Sequence, residues 1–354
     1  MEVSYKHLKR MTDNTGIIQF ANKERPLKES GYTVDDNARA LLVAINMSEK
    51  EAAPPAAVYL KFLSTAQRKD GTFTNLKIGD NFLPTIDSED SIGRAFMACC
   101  FLLKSSRADD EMKQTSKDII KITLPVIEKI RSLRAVSYIL IGLVALAEDG
   151  LAGPVMERYV NRIGNQLKDA YHDSNTDTWK WYENWLTYCN ALLPHALFSY
   201  YSFTGDKESL TIAEESLGFL TDALLKKGYL SVVGNKGWWL RNSNIPNFDQ
   251  QPVDAASTTL ACLEGYVTTG KKEYIEKASL SFQWYWGKNI NSLELYDKDS
   301  GGCHDALIPG GLNKNQGAEA IVTFLLTDQM IKNILDERKG LINGQNRSCY
   351  IPAV

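Results

Sequence analysis

Carboxyl groups in this chain gather just ahead of long apolar segments. Asp35 and Asp36 precede ALLVAI, Glu89 and Asp90 precede the run through FMACCFLL, Asp249 and Asp254 precede AASTTLACL, and Glu319 precedes AIVTFLL. Asp87, Glu183 and Asp305 lie in adjoining polar stretches. Taken singly, an acid at such a position is an ordinary helix cap. Doubled acids exceed what capping requires, and a carboxyl pair has a chemistry of its own. One carboxyl, held protonated, assists a leaving glycosidic oxygen while a second, ionised, activates water across the sugar ring, the two standing roughly 6.5–9.5 Å apart. A helix N-terminus favours the ionised form by about 0.3–1 kcal/mol. The acid member must therefore be protected by burial or by a neighbouring carboxylate. On this reading Asp36 and Asp90 are the expected bases, and Glu183, Asp254 or Glu319 the expected acid.

Binding groups sit among the same clusters. Asp35 precedes Arg39 by four residues and Asp90 precedes Arg94 by four, so each acid is expected to meet its own arginine one helical turn later. That leaves Asp36 and Glu89 free for other work, or the roles within each pair are reversed. Arg39, Arg94 and Arg241 would orient hydroxyls or an anionic substituent, with Gln250, Gln251, Asn315 and Gln316 as amide anchors and Asp35, Glu89, Asp249, His304 and Asp305 beside them. All seven tryptophans fall between Trp179 and Trp286. Trp284 and Trp286 read as packing of a surface helix. Trp185 and Trp239 lie in segments mixed with Glu, Asn and Arg, as suits the apolar faces and hydroxyl rim of a pyranose.

Something must bring these groups together. Apolar, small-residue-rich helices are expected at six places, opening near Gly31, Ser88, Leu133, Leu186, Asp249 and Asn315. Each carries Ala or Gly at contact positions, as helices buried all round do. Between them, segments such as 108–133, 205–228 and 270–289 show one-sided amphipathic spacing. Alternation of two unlike helix types at roughly 45–65 residues per pair predicts an all-α (α/α)6 toroid, six inner helices within six outer ones. The alternative is an open solenoid, which shows a closer repeat and capping ends. No linker interrupts the pattern, so residues 1–340 are expected to form one domain and 341–354 a tail, either an arm or a frayed end.

Composition narrows the function. Of 354 residues 44% are hydrophobic and 23% charged, with a net charge of −3. That is ordinary for a globular protein and leaves no electrostatic footprint for nucleic acid. No apolar signal core and no membrane-spanning stretch is seen, so a cytoplasmic location without membrane association is expected. The six cysteines read as reduced thiols, Cys99, Cys100 and Cys262 as inert core. Cys189, Cys303 and His304 lack paired metal-ligand spacing, and neither metal nor cofactor is expected.

Six ordered motifs carry a resemblance. GIIQFA, GYTVDDNARALL, SEDSIGRA, GNKGWW, FDQQPVDAA and GGCHDAL followed by NKNQGAEA resemble an all-helical region of bacterial and archaeal proteins often described as glycosyltransferases, from about Leu8 to Leu326. That region commonly follows a nucleotide-sugar domain and is similar in kind to the six-hairpin glycosidase-like toroids. The resemblance implies carbohydrate processing, with a glycosyltransferase as a further partner. The transferase label itself belongs to the fused domain, for which twelve helices leave no room here. Cys189, His195, Ala306 and Ala320 depart from the pattern. The leading expectation is an inverting glycoside hydrolase acting on an oligosaccharide or glycoconjugate. The alternatives are a non-catalytic glycan-binding or glycosyltransferase-associated module, a phosphorylase, and a sugar epimerase, for which only His195 and His304 qualify.

Overall fold

A computed structural model describes residues 3–47, 56–147, 154–341 and 351–354. Among them are twelve α-helices: α1 (Lys6–Met11), α2 (Val34–Asn46), α3 (Ala56–Ala66), α4 (Glu89–Lys104), α5 (Asp110–Ile127), α6 (Leu133–Ala147), α7 (Pro154–Ser174), α8 (Leu192–Thr204), α9 (Lys207–Leu224), α10 (Pro252–Thr269), α11 (Lys272–Phe282) and α12 (Ala318–Leu341). The even-numbered helices contact one another in order, and α12 returns to α2, which closes the ring. The odd-numbered helices pack outside, α3 on α2, α5 on α4, α7 on α6, α9 on α8, α11 on α10 and the short α1 on α12. The architecture is an (α/α)6 toroid.

Local sequence explains the alternation. Thr33 and Ser88 cap α2 and α4 by accepting the main-chain N–H of Asp36 and Ser91, the role short hydroxyl side chains fill best. Pro252 occupies the first turn of α10, where its missing N–H costs nothing. Gly205 and Gly270 end α8 and α10 in the left-handed region (φ 71° and 70°) and turn the chain outward. Close approach is fixed between α4 and α6. A Cβ on Gly93 would fall 2.6 Å from the Ala135 carbonyl oxygen, and one on Gly142 3.0 Å from Met97 Cα.

One expectation needs correction. The fourth inner helix begins at Leu192, not near Leu186. Trp185–Leu186 instead pairs antiparallel with Trp239–Leu240, and Asn190 exchanges hydrogen bonds with the Thr187 main chain, 2.8 Å to its N–H and 2.9 Å to its oxygen. Those local bonds compete with the helix, and Cys189 at φ 45° breaks it. Of the tail, residues 342–350 lie outside the described residues. Ile351–Val354 is buried against the inner ring, where Tyr138 of α6 donates its hydroxyl to the Val354 main-chain oxygen and His195 of α8 sets Nε2 3.0 Å from the Ile351 oxygen.

Cys99, Cys100, Cys189, Cys262 and Cys303 are buried free thiols, and burial pushes Cys99 and Cys262 up to about 12. Cys349 lies outside the described residues. Among the described residues no helix is long and apolar enough to cross a membrane.

Candidate functional site

The N-terminal ends of α2, α10 and α12, with the segment before α8 and adjoining loops, line one cleft with two lobes. The acidic lobe, about 320 Å³, is lined by Asp35, Asp36 and Arg39 of α2, Asp249 and Gln251 before α10, Asp305, and Glu319 of α12. The aromatic lobe, about 490 Å³, is lined by Tyr188, Cys189, Trp238, Val253 and again Gln251 and Glu319. Asn235 faces both. Glu319 sits where the lobes meet.

An ion network crosses between helices. Arg39 places Nη2 3.2 Å from Glu319 and Nη1 3.5 Å from Asp36. Arg94 donates to Asp35 at 2.8 Å and stands 3.9 Å from Asp90, while Asn75 donates to the other Asp35 oxygen at 2.9 Å. The four-residue spacing therefore does not set the partners as expected. Asp35 binds the arginine of the next helix, and Asp36 is not free. Asp90 accepts from Ser132 at 2.8 Å and Tyr188 at 2.7 Å. Glu89 is not free either; its carboxylate accepts the Arg131 and Ser132 N–H groups at 2.8 and 2.6 Å and anchors the start of α6.

Three carboxyl groups are shifted upward around Glu319. Burial raises Asp36 to about 7, with Arg39 opposing and Glu319 adding to the rise. Asp254, whose Oδ1 accepts the Cys189 N–H at 2.7 Å, is raised by burial to about 8, again with Glu319 adding. Burial likewise lifts Asp305 to about 6 against the Gly317 N–H, and Glu319 contributes. Asp35 goes the other way. Burial would raise it, but Arg94 and Arg39 outweigh burial and hold it low. The cleft thus separates carboxyl groups into protonated and ionised members, as general acid–base chemistry requires.

Several expected residues lie elsewhere. Arg241 donates to the Ser174 main-chain oxygen and rests over Trp179, 5.7 Å from its ring centre. Trp239 stacks on Phe219 at 5.6 Å, toward the outer layer, and Trp185 is exposed on the paired strand. Gln250 spends its amide on Ser231, Asn247 and Trp284, and Gln316 on Ser300 and Asp297. Both amides are turned to loop partners, and neither lines the cleft. Asn315 accepts the Lys23 N–H at 3.0 Å, and His304 turns Nδ1 to the Lys314 oxygen at 3.2 Å. Glu183 pairs with Arg134 at 3.1 Å, whose guanidinium covers Tyr188 at 4.8 Å.

Other lining residues were not singled out as site residues, although Trp238 belongs to the aromatic segment that suits sugars. Tyr188 and Trp238 (centroids 6.2 Å apart) furnish the aromatic lobe, and Phe20, 53% exposed, and Ile86, 43% exposed, flank the acidic lobe. Phe20 sits inside the GIIQFA motif, the one signal that marked it. Among the described residues no group of three or more His, Cys, Asp or Glu is arranged to hold a metal.

No known protein-family model matches the chain, and no curated protein matches its sequence. Solved structures do resemble it. A D-mannose isomerase aligns at 14% identity over 93% of this chain and 96% of its own, with a TM-score of 0.67. The cellobiose 2-epimerase from Spirochaeta thermophila aligns at 13% identity over 93% of each chain, TM-score 0.68. The GH76A alpha-1,6-mannanase from a Salegentibacter species aligns at 12% over 93% and 96%, TM-score 0.64. At such identities the likeness is one of fold alone, that of the (α/α)6 toroid.

Proposed function

We propose that the cleft hydrolyses a glycosidic bond of an oligosaccharide or glycoconjugate with inversion at the anomeric carbon. The observation that carries this reading is the position of Glu319. It is held by Arg39 at 3.2 Å, opens onto both lobes and is the common negative neighbour of three upward-shifted carboxyl groups. Asp36, raised to about 7, is the general acid and Glu319 the base, the reverse of the roles their places in the sequence suggest, because burial favours the protonated form of Asp36. Its proton passes to the glycosidic oxygen as the bond from that oxygen to the anomeric carbon breaks. Glu319 takes a proton from water, whose oxygen forms the new bond on the opposite face. Two lobes flanking Glu319 suit a substrate of at least two sugar units, one stacked against Trp238 and Tyr188 and the other against Phe20.

That several toroids of this shape are sugar epimerases or isomerases makes epimerisation the rival. Proton transfer by paired histidines is poorly supplied here. His195 is buried beneath the Ile351 oxygen and lowered by burial to about 4, and His304 is committed to Lys314.

A panel of defined oligosaccharides, with and without phosphate, tests the proposal, reading products by mass and anomeric configuration by NMR. Release of an inverted sugar without phosphate is expected, with a loss of about 10²–10⁴-fold in kcat for Asp36→Asn and for Glu319→Gln. Phosphate-dependent cleavage, isomerised product, or binding without turnover would each overturn it, the last in favour of a glycan-binding module.

A further inference from the structure

The segment Ile351–Val354 lies against α6 and α8 of the inner ring, and all four residues are buried. It is held by polar contacts that apolar packing alone would not need. Tyr138 donates its hydroxyl to the Val354 main-chain oxygen, Cys189 Sγ lies 3.8 Å from that same oxygen, and His195 Nε2 lies 3.0 Å from the Ile351 oxygen. With an oxygen as its partner, Nε2 carries the hydrogen and the ring is neutral, in line with the lowering by burial to about 4.

Of the two residues that grip Val354, Cys189 lines the cleft and Tyr138 packs under an arginine of its ion network. The Tyr138 ring lies 4.7 Å beneath the Arg94 guanidinium, and Arg94 is the residue that holds Asp35 at 2.8 Å. Cys189 lines the aromatic lobe, and its main-chain N–H donates to Asp254 at 2.7 Å. A single layer of side chains therefore separates the buried segment from the ion network. Cys189 adopts φ 45°, a conformation non-glycine residues hold only when their surroundings impose it.

We propose that Ile351–Val354 is a plug that closes the ring behind the cleft and, through Tyr138 and Cys189, positions Arg94, Asp35 and Asp254. Its residues are positioning residues. The part concerning turnover rests on the hydrolase reading; the sealing and the grip on Cys189 do not.

Three preparations test it: the intact protein, a chain lacking residues 351–354, and full-length Ala353→Asp, which puts a charge at a buried place in the plug. Each is treated with a small alkylating reagent, and labelling of each cysteine is followed by mass spectrometry. Cys99, Cys100 and Cys262, buried within α4 and α10, are the internal controls. Cys189 is expected to label at least tenfold faster in both altered proteins than in the intact one, the controls remaining unlabelled. Added acetyl-Ile-Pro-Ala-Val peptide is expected to restore protection to the truncated chain. If both altered proteins unfold, the intact protein at urea concentrations below its transition answers the question: Cys189 is expected to label ahead of the three controls. Equal rates there, or unchanged protection of Cys189 in folded variants, would overturn the plug. With a substrate in hand, the truncated chain is expected to lose at least tenfold in kcat with KM little changed, recovered by the peptide. Loss of Cys189 protection with unaltered kcat and pH profile would refute the positioning role alone, whereas absence of turnover in the intact protein bears only on the hydrolase reading.

Discussion

Arg94 of α4 lies 2.8 Å from Asp35 of α2 but 3.9 Å from Asp90 of its own helix. The pair ties two inner helices together at the level of the cleft, while Asn75 and Tyr138 complete the surroundings of its two members. Arg94→Ala leaves Asp35 without its principal counter-charge. Losing one partner of a fully buried pair costs about 3–5 kcal/mol; Asp35 is partly exposed at the cleft, so a smaller drop is expected in denaturant unfolding. Asp90→Asn, whose oxygens engage Ser132 and Tyr188, should couple only weakly to Arg94→Ala in a double-mutant cycle.

Glu319→Gln removes the negative charge that Asp36, Asp254 and Asp305 share as a raising influence. All three midpoints are expected to fall. Carboxyl ¹³C titration of the variant checks this without any substrate, and midpoints that stay in place would show that burial alone sets them.

Stability should decline as pH rises from about 5 to 8. Asp36 and Asp254 titrate at about 7 and about 8 when folded, above the ordinary carboxylate value of the unfolded chain. Between the two values only the folded state keeps the proton, so each group's contribution is whole below its unfolded pKa and is lost as pH climbs through the folded one. Asp35, held low, contributes the opposite limb, present above its unfolded pKa and lost as pH falls through the folded one. Melting temperatures across this range are expected to fall with pH in the parent and to vary less in Asp36→Asn and Asp254→Asn.

Gly93→Ala puts a methyl 2.6 Å from a main-chain oxygen of α6. Backbone cannot swing aside as a flexible side chain can, and overpacking of this kind costs about 1–3 kcal/mol. A melting-temperature drop is expected for Gly93→Ala and a small rise for Gly218→Ala in the interior of α9, where an added Cβ meets nothing within 4 Å and alanine is the better helix former.

Phe20→Ala is expected to raise KM severalfold with kcat nearly unchanged, because an exposed ring at the acidic lobe contributes equally to ground and transition states. A proportional fall in kcat would instead place Phe20 among groups that act on the transition state.

The toroid was legible because its causes are local. Small residues mark buried inner helices, amphipathic spacing marks outer ones, and polar clusters mark the shared end of the ring. The partners within the cleft were less so. A four-residue spacing names the neighbour on the same helix, but the register between α2 and α4 decides that Arg94 reaches Asp35. Adjacent tryptophans show the same limit. Trp238 lines the cleft while Trp239 packs on Phe219, a division that follows from Trp239 entering the strand pair with Leu186. Tyr188 was hidden by the expectation that Leu186 already lay within a helix. Amides such as Gln250 and Gln316 looked available because the sequence does not reveal which polar groups the loops consume internally.

The contact between Arg39 and Glu319 also falls at the seam where α2 meets α12. No shorter stretch of chain contains both, so a ribosome must deliver nearly the whole toroid before the two can meet. Formation of that pair is a long-range event of the kind that slows folding, and the residues proposed to cut the substrate come together only when the ring is complete. A nascent or open ring therefore holds no assembled pair, and activity doubles as a report that the circle has closed.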